Sequence, residues 1–93
     1  MYKDPSQPIE RRIEDLLGQM TLEEKVAQLG SCWSFELLRP DGPDPEQLNR
    51  CLRNGIGQIA RVAGMGTKPP EETAALVNAF QHFLTQQTRL GVP

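Results

Sequence analysis

Apolar residues recur at helical spacing in three separate stretches, and each predicts an amphipathic helix. Ile9, Ile13, Leu16, Leu17 and Met20 make the first stripe, which predicts a helix from about Pro8 to Met20. Proline suits that first turn because the N–H it lacks would have had no partner there. Arg11 and Asp15 lie four apart on the outer surface, a spacing that allows a weak pair worth roughly 0.2–0.5 kcal/mol. Thr21 then opens a second helix, with Leu22, Val26 and Leu29 on one face and Gly30 placed to end it. Thr21 and Glu24 have capping-box spacing: the hydroxyl accepts the Glu24 N–H and the carboxylate reaches back to the Thr21 N–H. The third stretch is the longest. Pro69, Pro70, Glu71 and Glu72 open a helix running to about Thr88, with Leu76, Val77, Phe80, Phe83 and Leu84 as its buried stripe. Acidic residues in its first turn and Arg89 near its end suit the helix dipole.

Between the second and third stripes the pattern changes. Residues 31–44 carry Trp33, Phe35, Leu37 and Leu38, then the turn-rich Pro40-Asp41-Gly42-Pro43. A short extended piece is placed at Leu37-Leu38. Glu46 to Asn54 reads as a short helix, with Leu48 and Leu52 four apart and Gly55 as its stop. Ile56 to Val62 is the best strand, flanked by Gly55 and the loop Ala63-Gly64-Met65-Gly66. It is mostly apolar without clean alternation, as in a strand covered on both faces. After Gly91 the chain turns extended at Val92-Pro93. Helix, strand, helix and strand start, in that order, predict parallel strands joined by crossover helices. The fold class expected is therefore α/β, mostly helical, with an unfinished sheet.

Composition narrows the function. At 93 residues the chain is one domain at most, or part of one, and a chain of this size buries only about 60–65% of its unfolded surface. Ten Lys and Arg against twelve Asp and Glu give a net charge of −2, which argues against a nucleic-acid partner. No apolar run approaches the roughly 20 residues that span a bilayer. The start Met1-Tyr2-Lys3-Asp4-Pro5 shows no apolar leader segment, so the expected compartment is the cytoplasm. Cys32 and Cys51 stand far apart with no metal-ligand or redox spacing and are expected to be reduced thiols.

The candidate chemistry is sparse. Gly55-Ile56-Gly57-Gln58-Ile59-Ala60 matches G-x-G-x-x-A, but a dinucleotide site needs those glycines between a strand and a helix. Here they follow a helix and run into the strand, so close strand-to-helix packing is the better account. Glu23-Glu24 and Glu71-Glu72 are helical neighbours about 100° apart and do not converge on one bond; capping and dipole compensation are their expected roles. Asp41 and Asp44 fall in a turn. His82, the only histidine, is expected at the edge of an apolar stripe, without a partner for catalysis or metal binding. Trp33 is assigned to core packing in preference to stacking on a sugar ring. Ser31 and Ser34 lack a nearby histidine to act as base.

Four pieces, in order, carry a family resemblance. They are Tyr2-Lys3-Asp4-Pro5 with Pro8-Ile9-Glu10-Arg11-Arg12, then Asp15-Leu16-Leu17 leading to Met20-Thr21-Leu22-Glu23-Glu24-Lys25-Val26-Ala27-Gln28-Leu29. The third is Asn54-Gly55-Ile56-Gly57-Gln58-Ile59, and the fourth is Ala75-Leu76-Val77-Asn78 with Thr88-Arg89-Leu90-Gly91-Val92-Pro93. Together they resemble the start of glycoside hydrolase family 3, the β-glucosidase and β-xylosidase family, over nearly the whole chain. The resemblance implies residues 1–93 as the incomplete N-terminal part of a (β/α)8 barrel domain, which when complete takes about 250 residues. It implies retaining hydrolysis of terminal β-linked glucose or xylose from oligosaccharides, with no metal or organic cofactor. The family's nucleophile and acid/base residue lie beyond Pro93, so no catalytic residue is assigned and the isolated chain is expected to be inactive.

One site residue is assigned by position. In parallel barrels the active face is built by loops after the strands, here Arg61 through Thr67. Arg61 is the candidate substrate-binding residue, through hydrogen bonds to sugar hydroxyls or by orienting a carboxylate; a solvent-facing or structurally paired arginine is the other reading. A second function hypothesis is a stand-alone helical interaction module that docks through the stripe of the long helix. Apolar surface left uncovered would also make the chain self-associate.

Overall fold

The computed structural model describes residues 1–63 and 68–93. Helix α1 spans Ile9–Gln19 and helix α2 spans Leu22–Ala27. Both capping-box bonds form: the Glu24 N–H donates to Thr21 Oγ1 at 3.2 Å, and the Thr21 N–H donates to the Glu24 carboxylate at 2.9 Å. The helix ends at Ala27, and Leu29 lies past it, exposed. The two apolar faces exist, but among the described residues neither is covered. Ile9, Ile13 and Leu17 of α1 and Leu22 and Val26 of α2 are all exposed. Asp15 does not pair with Arg11; its carboxylate takes the Tyr2 N–H at 2.9 Å and the Gln19 amide at 3.0 Å.

A strand the apolar pattern did not announce follows. Strand β1 is Ser31–Trp33, and a 3-10 turn, Ser34–Leu37, comes directly after it. Strands β2 (Leu38–Arg39) and β3 (Gly42–Pro43) form an antiparallel hairpin. The extended piece expected at Leu37-Leu38 is thus shifted by one residue, because Leu37 closes the 3-10 turn and is fully enclosed. Asp44 caps helix α3 (Pro45–Leu52) by accepting the Glu46 N–H at 3.0 Å.

Strand β4 occupies Gln58–Ala60, inside the expected Ile56–Val62 but shorter. It pairs in parallel with β1, Ser31 opposite Gln58, Cys32 opposite Ile59 and Trp33 opposite Ala60. The strand expected to come first is therefore the second of a pair. Gly57 explains where it begins. Its N–H donates to the Gly30 carbonyl at 3.1 Å, and a Cβ there would collide with the Gln28 carbonyl. Only glycine lets the chain pass this close to the end of α2.

Helix α4 runs from Pro70 to Gln87. Its Leu76, Phe80 and Leu84 join Leu48 and Leu52 of α3, Leu37 and Cys32 in one core. Each such side chain, fully buried, contributes about 1.5–3 kcal/mol. Val77 is exposed and Phe83 only half-buried, so the buried stripe is narrower than the spacing predicts. His82 is exposed and lies outside it. Most of the stripe offered for the interaction-module reading is taken up by this core, which does not favour that reading. The class is α/β, a parallel pair with helices packed beside it. No described helix is long and apolar enough to cross a membrane.

Candidate functional site

Parallel strands deliver their carboxyl ends to the same edge, and in α/β sheets ligands bind at that edge. In this chain the edge is formed by Trp33 and Ala60, which face each other in register, and by the residues just after them, Ser34 and Arg61. Exposure alternates along this stretch: Cys32 is buried, Trp33 exposed, Ser34 buried. This alternation follows from the strand pleat, which sends successive side chains to opposite faces.

Trp33 is therefore not in the core, contrary to its assignment from sequence. It is 45% exposed, and Phe35 stands beside it edge-on, with ring centroids 5.6 Å apart. The Arg61 guanidinium carbon lies 5.0 Å from the indole centroid. Such a cation over an indole face is worth about 0.5–1 kcal/mol at an exposed site. The Trp33 N–H donates to the Glu36 carboxylate at 2.8 Å, which fixes the backbone under the ring. The arrangement offers an aromatic face and a set of guanidinium donors, side by side and open to solvent.

Arg61 holds an unusual backbone, φ +60°, the one non-glycine residue with positive φ among those described. For an L-residue that conformation costs roughly 1–2 kcal/mol. Its carbonyl accepts a hydrogen bond from Ser34 Oγ at 2.9 Å, and Ser34 is fully enclosed. Of the loop placed on the active face, Arg61 through Thr67, residues 64–67 lie outside the described residues.

The described carboxylates with resolved partners serve the fold. Glu24, 7% exposed, caps α2 and also takes the Arg89 Nε and one terminal nitrogen at 2.8 and 2.6 Å. The Arg89 bonds chiefly, and the Thr21 N–H after them, hold its carboxyl down at about 2. It stays ionised at neutral pH and has no proton to give as a general acid. Asp44 and Glu36 are taken by backbone N–H groups. Burial, with smaller effects from Cys51 and Glu36, pushes the Cys32 thiol up, which disfavours the reactive thiolate. Both cysteines are free. Among the described residues no group of three His, Cys, Asp or Glu side chains could hold a metal ion.

A groove of about 250 Å³ lies between β4 and α4, lined by Ile56, Ile59, Val77, Phe80, Leu84 and Pro93 among others. The chain after α4 thus comes back alongside β4.

The sequence placed Arg61 after a strand, where the structure has it, and gave no sign of its contacts with Ser34 and Trp33, of the Glu36 bond or of the exposure of Trp33. The available signal was local: Gly30 ends a helical turn, and Ser31-Cys32-Trp33 is a short run suited to extended backbone.

No family model matches the chain. Over 101 residues it is 36% identical to the probable beta-glucosidase C of Aspergillus oryzae and 35% identical to that of Aspergillus flavus. Over 97 residues it is 32% identical to the beta-glucosidase C of Emericella nidulans. Each match takes in the whole of this chain and 15% of the relative, so the chain spans less than a sixth of the length of these proteins. Along its entire length the chain is similar to a stretch of proteins named as beta-glucosidases.

Proposed function

We propose that residues 1–93 are the opening part of a glycoside hydrolase family 3 barrel domain. The whole protein would hydrolyse terminal β-linked glucose or xylose from oligosaccharides with retention of configuration. The observation that carries this reading is the shared edge of the parallel pair, where Trp33 and Arg61 meet, on a chain similar throughout to beta-glucosidases. A sugar ring presents C–H groups that pack on an indole face and hydroxyls that accept from a guanidinium. Trp33 and Arg61 supply both. The return of Pro93 to the groove beside β4 supports a further parallel strand at that edge.

Retaining hydrolysis needs two carboxyl groups about 5–5.5 Å apart across the scissile bond. Glu24, Glu36 and Asp44 are committed to caps and backbone, and this chain alone is expected to turn over no glycoside. The reading is tested in two steps. The 93-residue chain, incubated at high concentration with a chromogenic β-glucoside and a β-xyloside, should release nothing above buffer. In the whole protein, Arg61→Ala should lower kcat/KM on the preferred glycoside at least tenfold, about 1.4 kcal/mol in the transition state. An unchanged kcat/KM would remove Arg61 from the sugar site.

A further inference from the structure

We propose that Ser34 is a positioning residue for Arg61: its enclosed hydroxyl holds the Arg61 backbone and thereby sets the guanidinium against Trp33. The inference rests on reading the strand-end edge as the site, and it adds a residue with its own test.

Ser34 has no exposed surface, and its hydroxyl donates across 27 positions of sequence to one acceptor, the Arg61 carbonyl, at 2.9 Å. That acceptor belongs to the one described non-glycine residue with positive φ. A left-handed residue persists only where its surroundings hold it. Relaxing Arg61 to ordinary φ would turn its peptide plane, carry the carbonyl away from Ser34 and re-aim the side chain at the same time. The hydroxyl therefore selects the backbone state in which the guanidinium reaches the indole.

The neighbouring residue completes the device. Trp33 and Ser34 are consecutive but lie one exposed and one enclosed. Ser34 grips Arg61 by its backbone from within, and Trp33 meets its guanidinium at the surface, 5.0 Å from the ring centre. Two adjacent residues of one strand end thus locate both ends of a residue on the other.

Trp33 is the only tryptophan, so its fluorescence reports this site alone. In the 93-residue chain, Arg61→Ala should shift the emission and change its quenching. Ser34→Ala should shift it in the same direction and at least half as far, with far-UV circular dichroism unchanged. Ser34→Thr, which keeps the hydroxyl, should restore the wild-type spectrum. If Ser34→Ala does not fold, Ser34→Cys takes its place, since it keeps the volume and gives up most of the hydrogen bond. A wild-type spectrum in a folded Ser34→Ala or Ser34→Cys chain, alongside a shifted Arg61→Ala chain, would overturn the proposal. A titration with methyl β-glucoside then separates the two readings. Several-fold weaker binding in both Arg61→Ala and Ser34→Ala supports both. Binding unaffected by either substitution sinks the sugar role of Arg61, while the spectral shift still supports the role of Ser34.

Discussion

Helices α1 and α4 carry apolar stripes of the same spacing and meet opposite fates. Phe80 and Leu84 of α4 are each 2% exposed, whereas Ile9 and Ile13 of α1 are 66% and 51% exposed. Helix α4 finds α3, the 3-10 turn and the parallel pair. Helices α1 and α2 find no comparable apolar partner among the described residues and are held by polar contacts instead. Arg89 donates to the Glu24 carboxylate and to the Gln19 carbonyl, and the Tyr2 hydroxyl donates to the Leu90 carbonyl. These attachments converge on two residues just after α4. The periodicity of a stripe says that a face suits burial; it does not say which neighbour, if any, will cover it.

The largest effect expected lies in the core. Phe80→Ala should cost about 3–5 kcal/mol, the range for emptying a buried aromatic site, while Ile13→Ala should stay within about 0.5 kcal/mol. Urea unfolding followed by circular dichroism measures both. Equal costs would break the comparison, because they would mean that the stripe of α1 is covered in solution.

Arg89→Ala should follow in size and act on one region only. It removes the bonds to Glu24 and to the Gln19 carbonyl in a single step. Hydrogen exchange should quicken in residues 9–27 and leave the Phe80 turn of α4 protected. Uniform quickening along the chain would show that the polar clasp supports the core as well. Thr21→Ala is a smaller cut at the same place, about 1 kcal/mol for a lost cap.

Acid should repeat the effect of Arg89→Ala without mutation. The Glu24 carboxyl is held at about 2 against an ordinary 4.5. A depressed carboxyl stabilises the fold fully above its unfolded value, and the contribution fades as pH falls from about 4.5 through 2. Asp4, lowered mainly by the Ser6 hydroxyl, belongs to the same region and shifts in the same direction. Protection in residues 9–27, taken as the exchange rate relative to its intrinsic value at each pH, should therefore fall between pH 5 and pH 2, and in the Glu24→Gln chain that dependence should be much reduced. If Glu24→Gln keeps the full dependence, other carboxyls carry it.

Local features were legible in the sequence. The Thr21–Glu24 box depends on residues three apart, and both its bonds form. The long helix and the stretch around Ile59 follow from composition in a short window. Non-local features were hidden. Strand β1 is three residues long, and its partner lies 27 positions away, so no periodicity marks it. Glu24 was readable as a cap and unreadable as the partner of Arg89, 65 positions on. At the site, Arg61 could be named from its place after a strand. Ser34 could not, because its role requires knowing that two strand ends meet.

The smallest effect on stability should come from the exposed apolar residues of α2, and it sharpens the comparison most. Leu22 is 72% exposed and Val26 58% exposed, on a short helix held by its cap and by Arg89. Leu22→Ser with Val26→Ser should change the unfolding free energy by no more than about 0.5 kcal/mol for each substitution, as for surface sites away from caps and cores. Neither residue contributes an atom to the bonds of Thr21, Glu24 or Arg89, so the clasp should survive. What should change is association. Exposed apolar patches drive proteins together, and the wild-type chain is expected to scatter light as oligomers at concentrations where the double variant runs as a monomer. If the double variant instead loses stability on the scale of Phe80→Ala, then α2 is packed in solution by its apolar face. The contrast between a polar-held and an apolar-held half would then fail. If stability and association are both unchanged, the contrast stands and self-association must arise at another surface, the open groove beside β4 being the next to test.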